Sequence, residues 1–254
     1  MIAPSQSDPP SFCVIIPMFN EQAGAEVCVV RVTAELARLG DHAALVVVND
    51  GSSDDTHAIL KGLQPEFEDF HLLEYDSNRG YGAALRTGVA FAAESGFDYC
   101  LFMDSDLTND PADLERFAAE MEKGTDVIKA SRFVKGGGMQ GVPWQRALVS
   151  RMGNWVASFL FRVGVRDCTN GFRAVKTSIL AQMQLTERGF PMIVEELYQS
   201  VFLAQTFTEI PVTLTNRADT LRLTSFTYDA VTLRKYLGYA LKAFLRLPPK
   251  QMNP

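Results

Sequence analysis

Leu101-Phe102-Met103-Asp104-Ser105-Asp106 is an apolar run that stops at two carboxylates separated by a single residue. Residues 99–103 are predicted as a short buried strand. They are apolar and aromatic-rich, bounded by Gly96-Phe97-Asp98 before them and an Asp-, Asn- and Pro-rich segment after them. Acid at the C-terminal end of a strand lies where open α/β sheets collect ligands, and two aspartates without a nearby Lys or Arg repel unless a cation sits between them. Oxygen donors of this kind suit Mg²⁺ or Mn²⁺, and the natural companion of such an ion is a diphosphate. A second reading stands beside it: an Asx turn and helix cap, with Asn109-Asp110-Pro111 opening a helix.

The rest of the N-terminal half favours the ligand reading. Residues 12–17 are a continuous apolar, β-branched run, the pattern of a central parallel strand covered on both faces. A helix is predicted over 25–39 from the spacing of Val29, Val32, Leu36 and Leu39, with Gly40 as its stop. Residues 44–48 form a second buried strand that ends in Asn49-Asp50-Gly51-Ser52-Ser53-Asp54. A helix over 55–63, capped by Ser53 or Asp54, follows it. A third strand at 71–74, the loop Asn78-Arg79-Gly80-Tyr81-Gly82 and an alanine-dense helix over 81–95 lead to the strand that ends at Asp104. Four strand–helix alternations predict an α/β fold with a doubly wound, mixed but mostly parallel sheet flanked by helices. Glu21, Asp50, Asp104 and Asp106 then lie at three strand ends, and a purely structural fold gains nothing from acids gathered along one sheet edge. No P-loop and no GxGxxG after a strand is present, which argues against an NTPase or a dehydrogenase.

Charge divides the chain. Residues 1–130 hold 8 Lys+Arg against 23 Asp+Glu, a balance of −15, and residues 131–254 hold 16 against 7, a balance of +9. An acidic half repels a nucleotide diphosphate unless a divalent cation mediates, and a basic half attracts a phosphate-bearing acceptor or an anionic membrane surface. No nucleic-acid partner is expected. Residues 1–11 read as a loose leader without a signal-peptide pattern, and no stretch reaches the roughly 18 apolar residues of a membrane span. The expected location is the cytoplasm, with peripheral contact to the cytoplasmic face of a membrane. Cys13, Cys28, Cys100 and Cys168 lack metal-ligand spacing and read as reduced core residues.

In the basic half, 127–131 is a fifth strand, and the glycine run 136–138 is expected to form a mobile loop with a gating role. A helix over 144–163 carries Arg146 and Ser150 four residues apart. They share a face that can clamp a phosphate or simply face water. Residues 167–173 form a polar turn. A helix over 192–204 carries Glu195 and Glu196, of which only one can face a given cleft, because neighbours on a helix diverge by about 100°. Residues 208–215 alternate as an edge strand tolerant of Pro211. Residues 228–247 form a basic amphipathic helix that can lie in a membrane interface or pack on the domain.

Six motifs occur in order over roughly residues 12–217: 16–21, 48–54, 78–84, Asp104-Ser105-Asp106, Ser131-Arg132-Phe133 and 167–173. On these the chain resembles the family 2 glycosyltransferases of the GT-A fold, most nearly the polyprenyl-phosphate (dolichol-phosphate) sugar transferases. The resemblance implies a GT-A domain over 12–226, with a nucleotide-sugar half (12–130) and an acceptor half (131–226), followed by a helix and tail (227–254). It implies a nucleotide site lined by Pro17, Phe19, Glu21, Arg79 and Gly80, with Asp50 on the base of a GDP- or UDP-sugar. Asp104 would touch donor and metal, and Asp106 would be the principal ligand of Mg²⁺ or Mn²⁺. Arg132, Arg146, Ser150 and Arg217 would meet the phosphate of a polyprenyl-phosphate acceptor. Inversion at the anomeric carbon is implied, and an anionic phosphate acceptor requires no general base. A hydroxyl acceptor would require a catalytic Glu195 or Glu196. A nucleotide-sugar-binding protein without turnover is the reading from another class. Thr108 stands where dolichol-phosphate mannosyltransferases have Gln, Tyr81 replaces a common Lys, and the late Arg-x-x-Gly-x-Ser-Lys motif is interrupted around Arg217, Arg222 and Ser225.

Overall fold

The computed structural model describes residues 9–215 and 229–249; the expectations for residues 1–8, Arg217, Arg222 and Ser225 lie outside them. The acidic half alternates strand and helix as its periodicity predicts: β1 (Phe12–Met18), α1 (Ala25–Leu39), β2 (Ala43–Asn49), α2 (Thr56–Leu63), β3 (Phe70–Glu74), α3 (Tyr81–Ser95), β4 (Tyr99–Phe102) and α4 (Leu114–Met121). The basic half adds β5 (Val127–Ser131), β6 (Gly138–Met139), α5 (Trp144–Phe161), β7 (Arg173–Lys176), α6 (Thr177–Leu180), α7 (Pro191–Leu203), β8 (Phe207–Pro211), β9 (Thr213–Leu214) and α8 (Ala230–Phe244).

Seven strands form one sheet in the order β3-β2-β1-β4-β7-β5-β8. Pairing is parallel except for β7, which runs antiparallel to both β4 and β5. This is the mixed, mostly parallel GT-A sheet. All seven residues of β2 are buried, which explains why its sequence is apolar without alternation. Odd and even positions of β1 feed different cores. Phe12, Val14 and Ile16 pack with α1 and α4, and Cys13 and Ile15 pack with α3. Each such side chain taken out of water contributes about 1.5–3 kcal/mol. Because β1 lies between β2 and β4, the chain reverses its direction of winding there, and a crevice opens at the carboxyl ends of β1 and β4.

Two expectations are corrected here. The glycine run is not a free loop: the Gly138 N–H donates to Val212 O (3.0 Å) and the Gln140 N–H to Leu214 O (2.8 Å), so β6 pairs in parallel with β9. Its glycines serve close approach, since a Cβ on Gly137 would stand 2.4 Å from Ser131 O. Residues 167–173 are a turn only as far as Phe172. Arg173 begins β7, a strand whose charged ends hid its pattern.

Candidate active site

The loops after β1 and β2 are stitched together by short polar side chains. Ser52 Oγ accepts from the Asn20 N–H (2.9 Å), Thr56 Oγ1 from the Glu21 N–H (2.8 Å), and Asn20 Oδ1 from the Ser53 N–H (2.7 Å). Asn20 takes a left-handed backbone (φ 54°), which Asn tolerates better than most residues. Asp54 accepts from Thr56 N–H (3.1 Å) and so opens α2. Pro17 is half-buried at the end of β1, and Phe19 is exposed beside it.

Asp50 is buried, and its two oxygens accept from the backbone N–H groups of Arg79 (2.7 Å) and Gly80 (2.8 Å). It therefore holds the turn that starts α3. The Arg79 guanidinium lies over the Tyr75 ring, 4.3 Å from its centroid.

The strand-end acids converge. The Cys28 thiol, in α1, is pushed up to about 12 by burial and then by the charges of Asp106, Glu21 and Asp104, with Arg31 opposing. Asp104, Ser105 and Asp106 are all half-buried. The cap of the following helical turn is Asp110, which accepts from the Ala112 N–H (3.1 Å), so Asp104 and Asp106 are not consumed as caps. Asp106 does make an Asx turn: its Oδ1 accepts from Thr108 N–H (3.0 Å) and Thr108 Oγ1 (2.8 Å), while no donor among the described residues reaches its Oδ2. Thr108 thus braces Asp106. Asp104 Oδ2 and Tyr81 Oη border the space beside Gly171, 3.2 and 3.5 Å from where a Cβ would stand. Burial raises the Tyr81 phenol well above its ordinary value, and the charge of Asp104 raises it further.

Among the described residues no group of three or more His, Cys, Asp or Glu is placed to hold a metal ion. Asp104 and Asp106 remain as a two-carboxylate, all-oxygen donor set. That fits an ion which keeps several waters and takes phosphate oxygens as further ligands.

On the opposite side of the crevice, Arg132 is 12% exposed and forms a bidentate pair with fully buried Asp167 (Nε–Oδ2 2.7 Å, Nη2–Oδ1 2.8 Å). Its Nη2 also reaches Thr169 Oγ1 (3.3 Å), which accepts from Asn154 Nδ2 (2.9 Å), and the same Nδ2 donates to Ser150 O (3.0 Å). Arg132 and Ser150 are thereby joined through Asn154 and Thr169, while Arg146 is exposed one turn earlier on α5. Asp167, Thr169 and Gly171 sit in a motif visible in the sequence, but their partners are distant in the chain.

Glu195 and Glu196 diverge as neighbours on a helix must, and both are buried (3% and 2% exposed). Glu196 pairs with Arg173 through two 2.7 Å contacts. Glu195 accepts from Thr186 N–H (2.9 Å), Thr186 Oγ1 (2.7 Å) and Glu187 N–H (2.9 Å). Among the described residues both carboxylates are thus engaged by neighbours, and serving as base for a hydroxyl acceptor would require one of them to give up these contacts. Burial pulls the Arg173 guanidinium down, but the Glu196 carboxylate more than offsets this and raises it above its ordinary value.

The glycosyl transferase family 2 model matches residues 13–183, which contain every strand-end acid described above. The chain belongs to this family. Among curated relatives of this glycosyltransferase, polyprenol monophosphomannose synthase of Mycolicibacterium smegmatis is 30% identical over 208 residues, spanning 80% of this chain and 77% of the relative. Undecaprenyl-phosphate mannosyltransferase of Micrococcus luteus is 27% identical over 209 residues, 80% and 83% of the two chains. Among solved structures, glucosyl-3-phosphoglycerate synthase of Mycobacterium tuberculosis, in complex with Mn²⁺, UDP and glucosyl-3-phosphoglycerate, superposes with a TM-score of 0.67 at 18% identity, covering 97% of this chain and 83% of that one. That likeness establishes the fold.

Proposed function

We propose that this glycosyltransferase moves a sugar, with inversion, from a nucleoside-diphosphate sugar to a polyprenyl phosphate, using Mg²⁺ or Mn²⁺ at Asp104 and Asp106. The observation that carries the acceptor assignment is the state of the two glutamates. Both are engaged in buried contacts; the Arg132 charge is likewise paired with Asp167, which leaves Arg146, exposed on α5 one turn before Ser150, as a cation open to an acceptor phosphate. An acceptor phosphate arrives already ionised and needs cations rather than a base. The two curated relatives, both named for mannose transfer to a polyprenyl carrier, support the same class. Bound at the two aspartates, the ion would neutralise the leaving diphosphate. Glu21, Pro17 and Phe19 would line the nucleoside, and the Asp50-held turn would present Gly80 to it.

A thermal-shift panel tests this directly, because a ligand that binds only the folded state stabilises it by about 2.7 kcal/mol at 100-fold excess over Kd. GDP, UDP and their sugars are expected to raise Tm with Mn²⁺ and far less with EDTA. Transfer is expected to polyprenyl phosphate and not to sugar or peptide hydroxyls. Tight binding with no turnover over all acceptors would support the non-catalytic reading instead.

No helix of the described residues is long and apolar enough to cross a membrane. The acceptor side nevertheless exposes an apolar stripe on α5, with Trp144 (70%), Leu148, Met152, Trp155 (73%) and Phe159 at helical spacing. It lies beside Leu237, Leu241 and Leu245 of the α8 region, which packs against α5 through the Phe159 and Phe244 rings. Exposed Arg151 of α5 and Arg234 and Lys242 of α8 lie on the same two helices. Exposed Trp amid cations matches an anionic bilayer surface, the place where a polyprenyl phosphate resides. The Trp144→Ala/Trp155→Ala variant is expected to lose about 100-fold in affinity for anionic vesicles in co-sedimentation, given roughly 1.5 kcal/mol or more per large apolar side chain removed from the interface. Unchanged vesicle binding would exclude this face.

A further inference from the structure

Loop 186–190 touches two parts of the molecule at once. On its inner side it lies against the turn that Asp50 holds. The Gly82 N–H donates to Arg188 O (2.7 Å), Arg86 Nη1 donates to Glu187 O (2.9 Å), and the Tyr81 and Phe190 rings meet at 4.8 Å. The approach is close enough that a Cβ on Gly82 would stand 2.1 Å from Glu187 O. On its outer side the loop is gripped by α8. Lys235 Nζ pairs with Glu187 Oε2 (2.6 Å), and Tyr239 Oη donates to Glu187 Oε1 (3.0 Å) and lies 3.3 Å from Glu195 Oε1. Glu195 in turn holds the backbone of Thr186 and Glu187. The side chains of Lys235 and Tyr239 therefore brace the loop from α8, and the loop braces Tyr81 and Gly82 at the start of α3.

We infer that Lys235 and Tyr239 are positioning residues for the sugar-nucleotide donor, acting through Glu187 and loop 186–190 on the 78–82 turn. This rests on the reading of that turn as part of the donor site. The Lys235–Glu187 salt bridge is only half-exposed (44% for Lys235, 12% for Glu187), so it is shielded more than an ordinary surface pair. The helix that carries the apolar stripe beside α5 is in this way mechanically continuous with the donor turn, and the seating of α8 sets donor affinity.

Lys235→Glu, Glu187→Lys, the charge-swapped double variant and Tyr239→Phe test the inference. Calorimetric titration with UDP and GDP in Mn²⁺ is expected to give a Kd raised about 5- to 20-fold in each single variant, the size of a typical coupling between sites. The swapped pair should recover most of the loss, and the KM for polyprenyl phosphate should stay within about twofold. Without any nucleotide, backbone hydrogen exchange at residues 79–82 and 186–189 should speed up in Lys235→Glu while circular dichroism is unchanged. Unchanged Kd and exchange in Lys235→Glu, or an equal rise in both KM values, would overturn the inference alone. Failure of the unmodified protein to bind either nucleotide would overturn the donor-site reading, and this inference with it.

Discussion

Asp106→Ala is expected to lower kcat/KM for sugar transfer by at least ~10³-fold, and Asp106→Asn by nearly as much. The reasoning starts from the two oxygens of this side chain. Oδ1 is spent on the Thr108 turn, and no donor among the described residues reaches Oδ2. If the two aspartates hold the ion as proposed, removing this carboxylate leaves too little charge there to retain a divalent ion beside a departing diphosphate. Stabilisation of a leaving group by such an ion amounts to several kcal/mol, and each 1.36 kcal/mol is tenfold in rate. The fold should scarcely notice, because one hydrogen-bonded turn contributes about 1 kcal/mol. Asparagine separates the two roles: it keeps an acceptor for Thr108 and loses the charge. Steady-state transfer with Mn²⁺, beside Tm, is the measurement. Activity within tenfold of the unmodified enzyme in both variants would overturn the assignment of Asp106 as a metal ligand.

Arg173→Ala is expected to destabilise the protein by about 3–5 kcal/mol in denaturant unfolding, a large share of the roughly 5–15 kcal/mol that a domain possesses. Arg173 is fully buried, pairs twice with Glu196, donates to Gly171 O (2.7 Å) and lies 4.3 Å from the centroid of the Phe102 ring. Its loss strands a carboxylate at 2% exposure, and an uncompensated buried charge is far costlier than a missing pair. Arg173→Met combined with Glu196→Leu should therefore be more stable than either single change. The same series tests the base. If Glu196 were the proton acceptor, Glu196→Gln would abolish turnover with little loss of stability; as half of a buried pair, it should lower stability first. The pair also supports the wall of the crevice, since Gly171 lies against Asp104.

Much of the fold was legible in the chain because its information is local. Uninterrupted apolar runs at 12–17 and 44–48 can only be strands covered on both faces, and the helical spacing of 25–39 matches α1 to the residue. The edge strand was readable in part from alternation and from Pro211, which β8 tolerates because only β5 pairs with it, but the stretch 208–215 is divided between β8 in the main sheet and β9, which pairs with β6. The strand β7 was not, since Arg173 and Lys176 look like solvent-facing residues until Glu196 and Asp126 are brought beside them. The glycine run failed as a loop for a similar reason: its partner, β9, lies about 75 residues away.

Sequence by itself determined that Asp104 and Asp106 stand at a strand end, that the sheet is mostly parallel, and that the family is one of glycosyltransferases, because strand periodicity and ordered short motifs survive without any knowledge of contacts. Only the tertiary structure decided what each acid does. Hydrogen-bond partners from other segments engage Glu195 and Glu196, tie Asp50 to the 78–80 turn, and, among the described residues, leave one oxygen of Asp106 without a bond. A carboxylate's role follows from which donors reach it, and that is fixed by packing between segments, which no local pattern encodes.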